Sequence, residues 1–229
     1  MGDIAGILFG LIGLAIPILI IAAIVYLIFR IKSGISFSIS YKAALRVYFY
    51  VVILVSVGLT GLGGISALIN AGLGELVGRE FSYGDVYKEH RELQEFRADR
   101  DASDHIVMDN RSLTEKIDLE MKGNLINGIS LTIIGTLLML IHFLGRRWVE
   151  TVDEHSDLLR RLYLIAGLAV FAVVTIVSMI AGIPETLRYA LLELEPGRES
   201  PGQALSIAII GVPIWLSYLV ATLRNTRRQ

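Results

Sequence analysis

Three groups of side chains have the types and spacing that chemistry uses. In Asp99-Arg100-Asp101-Ala102-Ser103-Asp104-His105, the oxygens of Asp99, Asp101 and Ser103 stand at alternate positions, as in the opening of a calcium loop. Asp104 adds a carboxylate but replaces the turn glycine, and Asn110 stands where a bidentate Glu should close the loop. The segment is thus a candidate divalent-cation site at Asp99, Asp101, Ser103 and Asp104, with a solvated charged loop as the alternative. His142 is the one histidine inside an apolar run, and a lone imidazole is an axial ligand for a haem or chlorophyll-type metal. A membrane haem usually takes a second axial ligand, and no other apolar run contains histidine; the alternative is an interfacial polar residue near Arg146 and Arg147. His155 lies among Glu150, Asp153, Glu154 and Asp157, which reads as a solvated charged face.

There is no Gly-x-Ser-x-Gly, phosphate-binding glycine loop or pair of zinc-ligand histidines. The absence of cysteine removes disulfides, thiolate metal sites and a cysteine nucleophile. The expectation is a protein without chemistry of its own and without a cofactor. A net charge of -1 gives no general attraction to nucleic acid.

The elements that must hold these groups are set by the distribution of charge. Five stretches contain no Asp, Glu, Lys or Arg: Ile4–Phe29, Val47–Gly74, Gly123–Gly145, Leu162–Pro184 and Ser200–Leu223. Helices of a soluble domain need a polar face, whereas roughly 20 apolar residues span the hydrocarbon core of a bilayer. The sequence therefore predicts an all-α integral membrane bundle of five transmembrane helices. The first apolar run is too long for a signal-peptide core and lacks a basic leader, so it is read as a retained span.

A weak tandem repeat organises the spans. Arg46-Val47-Tyr48 opens the second and Arg161-Leu162-Tyr163 the fourth, 115 positions on; Ile133-Ile134-Gly135 and Ile209-Ile210-Gly211 lie 76 apart in the third and fifth. The expected architecture is one leading helix plus two parallel-repeat hairpins. Its parts are a leading helix and basic loop (1–45), a first hairpin (46–145) with a charged insertion at 79–122, an inner loop (146–160), and a second hairpin with a basic tail (161–229). Parallel repeats argue mildly against a secondary carrier, where inverted repeats are commoner.

The run Gly211-Val212-Pro213-Ile214-Trp215 in the last third of the chain resembles uncharacterised bacterial multi-pass membrane domains that end in a Gly-x-Pro-x-Trp helix. The first hairpin departs from the pattern, with Leu137 and Met139 at the Pro and Trp positions. The resemblance implies a bacterial source and a helical membrane fold, and transfers no activity.

Small residues at intervals of three or four let helix backbones approach closely. Gly6 and Gly10 in the first span, and Gly58, Gly61 and Gly64 in the second, are therefore predicted helix contacts; the alternative for the second span is an unwound segment lining a substrate path. The span cores carry no charge. Their main polar residues are Asn70, Asn124, Asn127, Ser130, Thr132, Thr136, Thr175 and Ser178, so a proton relay and a voltage sensor are not expected.

Lys and Arg set the orientation. No base precedes the first span, and Arg30, Lys32, Lys42 and Arg46 follow it without an acid among them, which places the N-terminus outside and the C-terminus in the cytoplasm. The insertion, with eight bases and twelve acids, then lies outside. Its few apolar residues, Leu93, Phe96, Ile106, Val107 and Met108, are candidate partner contacts. Within it, Tyr87–Arg97 reads as a polar helix, and Glu185–Glu195 beyond Pro184 as an amphipathic interfacial helix.

The reading these features favour is an accessory or scaffold subunit of a larger complex in the bacterial cytoplasmic membrane. Its partners would be other membrane subunits and the lipid bilayer, with a homo-oligomer as a further form and no nucleic acid. A small channel or carrier of oligomerised hairpins, and a haem- or pigment-binding electron-transfer subunit, are the alternatives.

Overall fold

The computed structural model describes residues 41–98, 111–150, 158–192, 197 and 199–227. The chain divides into two units, Met1–Ala44 and Leu45–Gln229. The expected first span with Gly6 and Gly10 lies outside the described residues, as do Asp99, Asp101, Ser103, Asp104, Ile106, Val107, Met108 and His155. Every element among the described residues is helical: α1 (Tyr41–Gly58), a π-helical segment (Leu59–Ile65), α2 (Ser66–Leu76), α3 (Arg79–Ala98), α4 (Leu113–Val149), α5 (Leu158–Leu191) and α6 (Gly202–Arg227).

Four helices are long and apolar enough to cross a membrane: Ala44–Leu76, Leu113–Val149, Leu158–Leu191 and Gly202–Arg227. They contain or closely match four of the five charge-free runs. At about 1.5 Å per residue the 37-residue α4 is roughly 55 Å long, well beyond a hydrocarbon core of about 30 Å. Its charged first turns therefore project from the apolar part of the helix rather than forming a separate loop, so the insertion contributes the start of this span.

Local chemistry fixes the ends. Ser112 caps α4 by accepting from the Glu115 N–H, while the Glu115 carboxylate accepts from the Ser112 N–H at 2.9 Å, a reciprocal capping box. Arg146 and Arg147 in the last turn complement the helix dipole. α5 runs through Pro184 to Leu191, so the expected interfacial segment is the end of a single long helix. The Thr186 hydroxyl donates to the Gly182 carbonyl at 2.6 Å in the turn around that proline.

α5 and α6 pack along their length, while the π segment is wedged between α4 and α6, and α2 packs against α3, α4 and α6. The buried core centres on Leu164, Phe171 and Tyr218. α4 is the most open helix: 11% of its apolar window is buried, against 33%, 28% and 22% in the other three. Ile126, Ile133, Leu137 and Ile141 lie along its exposed face.

The insertion is not uniformly solvated. Gly78, with φ of 148°, makes the turn into α3, where Phe81, Ser82, Tyr83 and Gly84 are buried just after Arg79 and Glu80. α3 kinks at Tyr83 (φ −129°, ψ 28°) before it continues as the expected polar helix. Burial raises the Tyr83 hydroxyl pKa above its usual value, reinforced by the Glu120 and Glu75 carboxylates.

Candidate functional site

Three threonines inside the spans, Thr60, Thr132 and Thr175, lie at helix crossings. A Cβ placed on Gly64 would stand 2.6 Å from the Thr132 backbone nitrogen, and one on Gly135 would stand 2.9 Å from the Thr60 nitrogen. Each helix of the first hairpin thus sets a threonine into a glycine notch of the other. The second hairpin repeats the device: a Cβ on Gly211 would stand 2.6 Å from the Thr175 Oγ1. The hydroxyls of Thr60, Thr132 and Thr175 are buried there without hydrogen-bond partners.

The glycine expectation divides by residue. Gly61 faces Ile214 of α6 and Gly64 faces α4, so both lie at close crossings. A Cβ on Gly58 would meet nothing within 4 Å, so that position needs no glycine for packing. The glycine run is wound as a π-helix packed on two sides, which places its backbone against protein.

At the end of the bundle that holds Arg46, a charged and aromatic ladder leads inward. The Glu150 side chain is 1% exposed, unlike the solvated face expected of it. It accepts a hydrogen bond from the Tyr50 hydroxyl at 2.6 Å and pairs with Arg46 at 3.6 Å and Arg146 at 3.3 Å. A buried carboxylate needs such partners, since desolvating one charge alone costs several kcal/mol. The Arg146 guanidinium lies 5.1 Å from the Tyr50 ring centre, a cation–π contact. The ladder continues through the Tyr50 and Tyr163 rings, 4.8 Å apart, to a Tyr163–Tyr218 hydroxyl bond of 2.7 Å, and ends on Phe171, stacked on Tyr218. Gly167 makes room for Tyr218, whose ring would collide with any Cβ there.

His142 lies near the same end. Its Nδ1 donates to the Leu138 carbonyl at 2.7 Å, which leaves Nε2 to accept from the Tyr48 hydroxyl at 3.0 Å. An axial metal would have to displace the tyrosine. Tyr48–His142 and Tyr163–Tyr218 differ by the same two offsets, 115 and 76, as the tripeptides above, and so do Thr60–Gly135 and Thr175–Gly211.

The opposite end is closed by α3. The Ser82 hydroxyl donates to the Asn70 carbonyl at 2.8 Å, and Gly202 sits against both residues. Arg79 pairs with Asp118 at 2.8 Å, with both side chains about two-fifths exposed, a geometry that stabilises by about 1 kcal/mol at most. On the later turns of α3, Leu93 is half-buried and Phe96 is exposed. Asp85, Glu185 and Glu199 line a groove at this end. Sequence reasoning missed the Glu150 ladder and this groove, since both join residues far apart in the chain.

Neither the Asp85 groove nor a second one lined by Lys88, Arg91, Glu92, Glu95 and Gly197 is lined by Asn70, Asn127, Thr132 or Thr136. No curated protein matches the chain, and no solved structure does. The model of a family described as a domain of unknown function (DUF5671) matches residues 100–200, a stretch that takes in α4 and α5 and stops short of the Gly211–Trp215 run.

Proposed function

We propose that this protein is an accessory or scaffold subunit of a larger complex in the bacterial cytoplasmic membrane, with its N-terminus outside and its C-terminus in the cytoplasm. The observation that carries this reading is the use of the intramembrane threonines. Thr60, Thr132 and Thr175 are closed against glycines of facing helices, where they fill close helix crossings by shape. A channel or carrier needs polar groups along a lined path. The exposed apolar face of α4 and the outer half of α3 offer surfaces for neighbouring subunits.

Two hairpins duplicated in parallel are part of the same reading. Its support is that a ring-to-ring hydrogen bond and a threonine–glycine crossing recur at the same offsets. A haem or pigment at His142 is the weaker reading, because Tyr48 and Leu138 already engage both ring nitrogens.

Replacing residues 88–110 by a flexible linker leaves the buried start of α3 in place. The shortened protein should still insert, since each span satisfies its own backbone hydrogen bonds, and should lose any co-purifying subunit. Retained partners together with ion or solute flux in reconstituted vesicles would overturn the scaffold reading. Orientation has a separate test, made simple because the chain contains no cysteine. A single cysteine at Glu92 should react with an impermeant thiol reagent in intact cells, and one at Thr226 only after permeabilisation. The reverse pattern would invert the topology.

A further inference from the structure

A groove of about 370 Å³ lies between the later turns of α5 and the first turns of α6, with Asp85 of α3 at its edge. Ser178, Ala181 and Glu185 line it at helical spacing along α5, and Gln203 and Ile207 line it along α6. Asp85, Glu185 and Glu199 supply three carboxylates, and Arg188 pairs with one of them, Glu199, at 3.4 Å. Acids alone would mark only a solvated rim. The second observation is Ser178, which is 8% exposed and lines the groove.

Other buried span serines bond their own helix: Ser56, Ser66 and Ser206 each donate to the carbonyl four residues earlier. Ser178 makes no such bond and has no other partner among the described residues. The Ser178 hydroxyl is not sealed in like those of Thr60 and Thr175, so on an otherwise buried residue it is open to a hydrogen-bond partner in the groove. The carboxylates do not converge on a bare ion: among the described residues no three His, Cys, Asp or Glu side chains are placed to hold a metal. Val177, Ala181 and Ile207 make part of the lining apolar.

We propose that this groove binds an organic ammonium group carried on an aliphatic body, with the cation among Asp85, Glu185 and Glu199 and the aliphatic part along Val177 and Ile207. The groove has the volume of a small-molecule site, with an apolar lining and few polar groups to orient a ligand. The ammonium can come from a membrane lipid with an amine headgroup or from a soluble cation. The proposal rests on the groove alone and is independent of the scaffold reading.

The test uses the full-length protein in nonionic detergent. One arm counts phosphatidylethanolamine against phosphatidylglycerol adducts by native mass spectrometry; the other titrates tetramethylammonium chloride by calorimetry. One arm should saturate at a single site, and the arm that does so identifies the source. Glu185→Gln should weaken that binding about tenfold, and Ser178→Ala severalfold, through the lost charge and the lost hydrogen bond. If Glu185→Gln does not fold, the exposed rim variant Asp85→Asn carries the comparison. Absence of saturable binding in both arms, adducts that do not distinguish the two lipids without a tetramethylammonium site, or variants that fold and bind as the parent does would overturn the proposal.

Discussion

The hairpin built from the π segment and α4 and the hairpin built from α5 and α6 use the same two contacts and fill the space around them differently. Each sets a threonine into a glycine notch, and each joins two rings near the Arg46 end of the bundle. In the second hairpin the ring pair is Tyr163–Tyr218, half-buried and continued by Phe171 into the core. In the first it is Tyr48–His142, and Tyr48 is 51% exposed. Backbone proximity is thus common to both, while aromatic filling distinguishes them. What the first hairpin lacks in aromatic core it makes up by exchanging threonines in both directions across α4.

The largest effects should come from that exchange. Gly64→Leu drives a side chain into the Thr132 backbone, which cannot move aside as a side-chain tip can; we expect a loss of about 3 kcal/mol or failure to assemble, read from thermal unfolding in detergent. A near-normal melting temperature would remove the close crossing from the account. Glu150→Gln, which removes a carboxylate paired with the buried Arg46 and the partly exposed Arg146, should cost roughly 3 kcal/mol by the same measurement. If it costs nothing, the ladder that links the hairpins through Tyr50 and Tyr163 contributes no stability.

These two positions also mark how far the sequence was readable. The four spans seen among the described residues are legible because charge is excluded from continuous runs, a signal that needs no knowledge of contacts. The start of α4 is legible as well, since Ser112 and Glu115 have capping-box spacing, although its place beside a charged loop hides the signal. Phe81–Gly84 reads as part of a polar insertion because eight bases and twelve acids surround it, yet packing tucks it under α2. Glu150 is illegible for a different reason. Its burial depends on Arg46 and Tyr50, about a hundred positions away, and no local pattern carries that information. The ring contact was hidden because Tyr218 and His142 are different residues performing one task.

Smaller effects sharpen the contrast between hairpins. Tyr218→Phe removes a half-buried hydroxyl pair and should cost about 1 kcal/mol, whereas Tyr48→Phe, at an exposed site, should cost a few tenths. Equal losses would mean that the two ring pairs are not differently filled. Thr60→Val and Thr175→Val exchange unpartnered buried hydroxyls for methyl groups, and each should stabilise by up to about 1 kcal/mol. If only one does so, the two crossings are not equivalent. Gly58→Ala, with open space around it, should be neutral or slightly stabilising through helix propensity, by about 0.5 kcal/mol.

The π segment has a consequence for how one continuous helix can serve two sets of neighbours. A π turn holds more residues than the 3.6 of an α turn, so each surplus residue rotates everything after it by about 100° around the helix axis. α1 and α2 are therefore out of phase. The stripe that brings Arg46 and Tyr50 to Glu150 is not the stripe that brings Asn70 to Ser82 and Gly202. A single-residue deletion within Leu59–Ile65 would restore the α phase and turn one stripe away from its neighbours, with no side chain altered at either end.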